Sequence, residues 1–173
     1  DVGLLLTEPR HVGQLAPLLG DLGLARDQLL VSSRYEDEPP GPPEFGVDLD
    51  AALATVPNED PGLEPDLDTR WALIFTSGTS AAPKAVICTQ RRLLVTGNRM
   101  AMMLAIGPDD VGYVAMPLFH SNALMVGWAP SLVAGASVGL ARRFTASGWL
   151  SDVRRYGATW FNYTGKPLAY LMA

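Results

Sequence analysis

The chain has 173 residues, enough for one domain with a sizeable core or for part of a larger one. Hydrophobic residues make up 48% and charged residues 18%, which excludes a disordered chain, and no apolar run is long enough to cross a bilayer as a helix. The net charge of −5 is unevenly spread: residues 1–70 hold 15 acids and 4 bases, residues 71–173 hold 3 acids and 9 bases, so the second part suits an anionic ligand or partner.

The opening "DVGLLLTEPR" has neither an initiator Met nor a basic leader, and it starts inside what reads as a strand. The chain is therefore expected to be a piece of something longer. "RHVGQLAPLLGDLG" reads as a short helix weakened by Pro17, and "DQLLVSS" as a second strand. Residues 1–34 thus form a βαβ portion. Residues 35–70 are a linker rich in Pro and acids, with one apolar island, "VDLDAALATV". That island predicts a short helix with Asp48 or Asp50 near its N-terminus.

From Trp71 the alternation tightens. "WALIFT" reads as a buried strand, "KAVICT" as the next, and "QRRLLVTGNRMAMMLAIG" as a helix. Leu93, Gly97, Met100 and Leu104 share one face of it, the Met residues at 100, 102 and 103 are expected to fill core, and Gly107-Pro108 should stop it. Cys88, the single cysteine, lies in "AVICT" and reads as a small core hydrophobe; it permits no internal disulfide and is compatible with a reducing cytosol. "DVGYVAMP" is a strand and "SNALMVGWAPSLVAG" an apolar helix interrupted at Pro130. "ASVGLA" is a strand, "TASGWLSDVRRYG" a helix capped by Thr145 or Ser147, "ATWFNYT" a strand, and "GKPLAYLMA" the start of a helix. Residues 71–173 are therefore an α/β subdomain, and the expected fold is a mostly parallel β-sheet flanked by helices.

Two stretches carry chemistry. The first is "FTSGTSAAPKAV" at residues 75–86. Phosphate binding needs dense donors and little negative charge. Hydroxyls and a turned backbone supply the donors, and a Lys adds a mobile cation. Thr76, Ser77, Gly78, Thr79, Ser80 and Lys84 supply all of these, with no acid from Thr76 to Val86. The Walker A spacing GxxxxGK[ST] fails, because no Gly precedes Lys84, no Ser or Thr follows it, and "KAVICT" continues as a strand rather than a helix. A Ser/Thr-rich surface turn is the plain alternative. The second stretch is "MPLFHSNALMVGW", where His120 follows an apolar strand beside Ser121 and Asn122, at an edge where open α/β sheets bind ligands. Its plain alternative is a His capping the next helix.

The first stretch resembles the phosphate-binding signature of the adenylate-forming enzymes, roughly [YF]TSGTTGxPKG[VA]. Phe75, Thr76, Ser77, Gly78, Thr79, Pro83 and Lys84 match as they stand, Ser80 is conservative, and Ala81 and Ala85 replace glycines. The second resembles the [ML]PL[FY]H motif of the same family, in the same order and at similar spacing. A third, "RRFTASGWLSDVRRYGATWFNYTGKPLAYLM", is similar to a segment of fatty-acid-transport-type acyl-CoA synthetases, although Lys166 stands where Glu is usual.

The resemblance implies the large N-terminal domain of an AMP-forming fatty-acid–CoA ligase, using ATP, Mg²⁺ and CoA. Thr76, Ser77, Gly78, Thr79, Ser80 and Lys84 would hold the β- and γ-phosphates. His120 would shape the reacting carboxylate, and Ser121, Asn122, Tyr163, Thr164 and Gly165 would line the acyl site. It implies no protein-bound metal centre and no nucleic acid partner. A cytoplasmic location fits, and a long-chain substrate is compatible with peripheral membrane contact. The downstream adenine- and ribose-binding segments and the C-terminal domain are not in this sequence, so the chain alone is expected to bind nucleotide weakly without turnover. The competing reading is a degenerate, non-catalytic module that binds acyl groups or nucleotide.

Overall fold

The computed structural model describes residues 3–34, 41–76 and 84–172. The chain divides into two compact units, Asp1–Leu63 and Glu64–Ala173.

The first unit carries strands β1 (Leu5–Thr7), β2 (Leu29–Val31) and β3 (Val47–Asp48), paired in that order and all parallel. Helix α1 (Pro9–Leu15) follows β1, with Pro9 in its first turn, where the missing N–H has no helical partner to lose. Helix α2 (Leu49–Leu53) follows β3. The two predicted acids divide the work: Asp48 caps α2 by accepting the Ala51 N–H at 3.0 Å, whereas Asp50 accepts from the Ser32 hydroxyl and the Ser33 N–H. Leu19, Leu24, Leu29 and Val31 form the core of this unit.

In the second unit β4 (Arg70–Thr76) and β5 (Lys84–Thr89) form an antiparallel hairpin, with Leu73 opposite Ile87 and Thr76 opposite Lys84. Ile74 and Cys88 point inward, and Cys88 is buried as the sequence predicts. Leu73, Phe75 and Ile87 lie exposed. Helix α3 (Gln90–Leu104) starts where the Thr89 hydroxyl accepts the Arg92 N–H. The bidentate Arg91–Asp68 pair, at 2.9 and 3.1 Å, ties the preceding loop to this first turn.

Beyond α3, β6 (Val111–Val114) is the middle strand of a parallel sheet with β7 (Ser137–Leu140) and β8 (Trp160–Phe161) on either side. Residues Asn122–Trp128 wind as a π-helix that passes directly into α4 (Ala129–Ala134). Pro130 falls in the first turn of α4 and is buried, so the expected interruption is a change of winding rather than a break. Helix α5 (Ala146–Tyr156) is capped by Thr145, whose hydroxyl accepts the Gly148 N–H, and α6 (Lys166–Met172) follows β8. No helix among the described residues is long and apolar enough to cross a membrane.

Helix α3 departs from expectation in two ways. Its buried stripe is Leu93, Gly97 and Ala101, while Met102 and Met103 are 75% and 69% exposed and Leu104 is 48% exposed. The reason is close packing. A Cβ on Gly97 would lie 2.8 Å from the Ala129 carbonyl oxygen, so small residues, not the bulkiest ones, mark the face against α4. The helix also ends before Gly107-Pro108: Ala105 takes the left-handed conformation, φ 53°, and the Ile106 N–H donates to the Ala101 carbonyl.

Two substitutions check this account by denaturant unfolding. Gly97→Ala should destabilise the chain by about 1–3 kcal/mol through overpacking against α4, whereas Gly20→Ala, with open space around it, should be close to neutral. Ala105→Gly should stabilise by about 1 kcal/mol, because Gly adopts the left-handed region without a Cβ clash.

Candidate functional site

The strand–loop–strand arrangement expected around Lys84 is present. Thr76 ends β4 and Lys84 begins β5 directly opposite it, so the seven-residue connection 77–83 springs from a paired base. Ser77, Gly78, Thr79, Ser80 and Ala81 lie outside the described residues. Ala85 pairs with Phe75 in ordinary extended ladder geometry, so the backbone does not require a glycine there.

The second group of predicted residues converges because β6 and β8 are parallel neighbours, with Tyr113 opposite Phe161. Both strands release their chains at the same sheet edge, the one where open α/β sheets place ligands. From β6 the chain runs through Met116 and Pro117 to His120, Ser121 and Asn122; from β8 it runs to Tyr163, Thr164 and Gly165. The two loops touch. The Asn162 Nδ2 donates to the Asn122 carbonyl at 3.3 Å and to its side-chain oxygen at 2.5 Å, and the Thr164 hydroxyl donates to the Met116 sulfur at 3.5 Å. Gly165 has φ 61°, a turn that suits Gly.

His120 is exposed and its ring lies 4.3 Å from that of Phe119. Its carbonyl accepts the Leu124 N–H, but its imidazole does not cap the helix. Behind the loops, aromatic side chains enclose a cavity of about 20 Å³ lined by Tyr113, Phe144, Trp149, Phe161, Asn162 and Tyr163. Trp149 meets Phe161 edge-on at 5.1 Å, and Phe161 lies 5.8 Å from Tyr163. Tyr113 is buried and donates to Asp152 at 2.9 Å; burial, then that bond, pushes its phenol well above the ordinary range, so it stays protonated.

The hairpin and the His120 segment share a core. Ile74 of β4, Cys88 of β5, Leu93 of α3 and Met125 of the π-helix form one buried cluster with Ala129, and Trp71 and Trp128 meet at 6.3 Å. The two predicted motifs, 44 residues apart from Thr76 to His120, are thus anchored to the same apolar interior. The sequence reading missed Asn162 and Asp110. Asn162 was hidden inside a hydrophobic stretch that read as a strand to residue 164, whereas β8 ends at Phe161. Asp110 joins the other ends of the two strands: it accepts the Gly107 N–H at 2.8 Å and the Thr159 hydroxyl at 2.7 Å.

A wider cleft, about 510 Å³, lies in the first unit beside Thr7, Arg10, His11 and Ser32. Its polar groups pair with one another, since Arg10 pairs with Glu8 and donates to His11. The predicted chemistry lies in the second unit.

Residues 8–173 match the family model described as AMP-binding enzyme, and the chain belongs to that family. It is 45% identical over 163 residues to the medium/long-chain-fatty-acid–CoA ligase FadD17 of Mycobacterium tuberculosis, covering 91% of this chain and 32% of that ligase. It is 47% identical over 173 residues to the steroid-22-oyl-CoA synthetase of Rhodococcus jostii, covering all of this chain and 29% of the synthetase. The o-succinylbenzoate CoA synthetase of Bacillus subtilis, solved with the acyl-adenylate intermediate, superposes with a TM-score of 0.69 at 27% identity over 93% of this chain and 42% of that one. The chain spans about a third of the length of the curated relatives it matches.

The Gly107 N–H, and then the Thr159 hydroxyl, hold the Asp110 carboxyl below its ordinary value of 3.8. Its contribution to stability is therefore fully present above that value and is lost as pH falls through the lowered one. Asp110→Asn should melt at a lower temperature than the wild type at pH 7, with the gap closing as pH falls below 3.8; a gap that is constant down through strong acid would contradict the assignment.

Proposed function

We propose that this chain is the phosphate- and acyl-binding part of an AMP-forming fatty-acid–CoA ligase. The observation that carries the reading is the shared core, which brings the hydroxyl hairpin and the His120 loop to one interior. In such an enzyme a carboxylate oxygen attacks the α-phosphorus of ATP, the bond to the β-phosphate bridging oxygen breaks, and pyrophosphate leaves. The thiol of CoA then attacks the acyl carbonyl, and AMP leaves as thioester forms.

Thr76, Ser77, Gly78, Thr79, Ser80 and Lys84 hold the β- and γ-phosphates, where donors and a cation favour the charge on the departing pyrophosphate. Mg²⁺ would arrive on the nucleotide phosphates and supply further charge neutralisation there. His120 places the carboxylate, with Ser121, Asn122, Tyr163, Thr164 and Gly165 around it. The names of the relatives span medium- and long-chain fatty acids and a steroid-22-oyl group, and the aromatic wall suits an apolar acid of either kind. A cytoplasmic enzyme working near a membrane surface fits such a substrate.

A degenerate, non-catalytic module is the second reading, and Ala81 in the hairpin loop is what favours it. Fatty-acid-dependent exchange of pyrophosphate into ATP, measured on the full-length protein, separates the two. The ligase reading expects exchange, with kcat/KM lowered about 100-fold in Lys84→Ala. Nucleotide binding with no exchange for any acid would instead establish the second reading.

A further inference from the structure

We infer that Asn162 is a positioning residue that holds the His120–Ser121–Asn122 turn in place by keeping the following segment wound as a π-helix; the catalytic part of this inference rests on the ligase reading above. Asn162 stands one residue past β8, and β8 pairs with β6, the strand that leads to His120. Its amide reaches both parts of the π-helix Asn122–Trp128. At the start, Nδ2 donates to the carbonyl and the side-chain oxygen of Asn122. Near the end, Oδ1 lies where a Cβ on Gly127 would come within 2.7 Å. One planar group is thus wedged against the first and the sixth residue of a seven-residue segment.

The winding it touches is costly. π-Helices are rare and concentrate where a functional side chain must be re-aimed. Here the Ala129 N–H donates to the Leu124 carbonyl, five residues back, and α4 continues from that point with ordinary winding. Returning the segment to α-winding would rotate everything before it by on the order of 100° about the helix axis relative to α4. His120 and Ser121 are the residues it would carry away.

Asn162 itself is under constraint. Its Oδ1 is buried with no hydrogen-bond partner among the described residues, so the amide is oriented for what its N–H group does and leaves its acceptor unsatisfied. Gly127 has no Cβ to push the amide away. Asn162 also lines the aromatic cavity with Trp149 and Phe161, which puts it in the wall against which an acyl group would press.

The test uses the full-length protein and fatty-acid-dependent ATP–pyrophosphate exchange. Asn162→Ala should lower kcat about tenfold, the loss of its hydrogen bonding to Asn122 expressed in rate, with the KM for ATP unchanged within about twofold. Asn122→Ala should lower kcat too, and the double variant should lose less than the product of the two single losses, because the Asn162–Asn122 side-chain bond is counted in both. Gly127→Ala should reproduce the defect from the other side. The isosteric Asn162→Asp, which keeps the shape and loses the N–H donor, gives the decision if Asn162→Ala does not fold. Additive losses, or a loss confined to the KM for ATP, would overturn the inference. If the wild type shows no exchange, the ligase reading fails alone. Amide hydrogen exchange then decides on the clamp: faster exchange confined to residues 122–128 in Asn162→Asp supports it, and unchanged exchange there overturns it.

Discussion

Met125 is the residue through which the hairpin and the His120 segment share one core. It belongs to the π-helix behind His120, yet it packs among Ile74, Cys88 and Leu93, which come from the hairpin and from α3. Removing apolar surface from water at that junction fixes the position of the hairpin relative to the helix; no polar contact between the two motifs is needed. An isolated two-stranded hairpin is marginal in water, so β4 and β5 depend on this packing for their order, and with it the base of the loop that would meet phosphates. The exposed outer face of Leu73, Phe75 and Ile87 shows that the inner face alone supplies the anchorage among the described residues.

Around that junction the parallel pairing of β6 with β8 does the remaining placement. Parallel neighbours end on the same side, so two loops 40 residues apart, at Asn122 and Asn162, emerge together and hydrogen-bond. At the opposite end Asp110 and Thr159 make the matching tie. The hairpin and the two loops are therefore held by apolar packing beneath them, strand pairing beside them, and the Asn162–Asn122 hydrogen bonds across the loops.

Much of this was legible in the sequence. Apart from the two-residue strand β3, the order of strands and helices followed from hydrophobic runs and turn residues, each cap was narrowed to two candidates of which Thr145 and Asp48 do the capping, and the two motifs were visible from their residue types and spacing. What was not legible shares a cause. The stripe on α3 was legible at Leu93 and Gly97 but not at its C-terminal end, where Ala101 rather than Leu104 is buried; Gly97 packs against α4 for its smallness, which a scale of hydrophobicity does not reward. The end of α3 at Ala105 was missed because a left-handed alanine has no sequence signal. The π-winding of 122–128 was invisible for a related reason: the same apolar residues would fit an α-helix, and the segment's contact with Asn162, 40 residues on, has no local signal. Local pattern identifies the elements; close approach between elements decides their fine geometry.

The claim that the hairpin and the two sheet-edge loops make a single site is tested most directly by hydrogen exchange on the full-length protein with a non-hydrolysable acyl-adenylate analogue. One site predicts simultaneous protection, at one ligand concentration dependence, of the hairpin around Thr76 and Lys84, of residues 120–122 and of residues 162–165. Protection of the hairpin with no change at 120–122 and 162–165 would contradict the account.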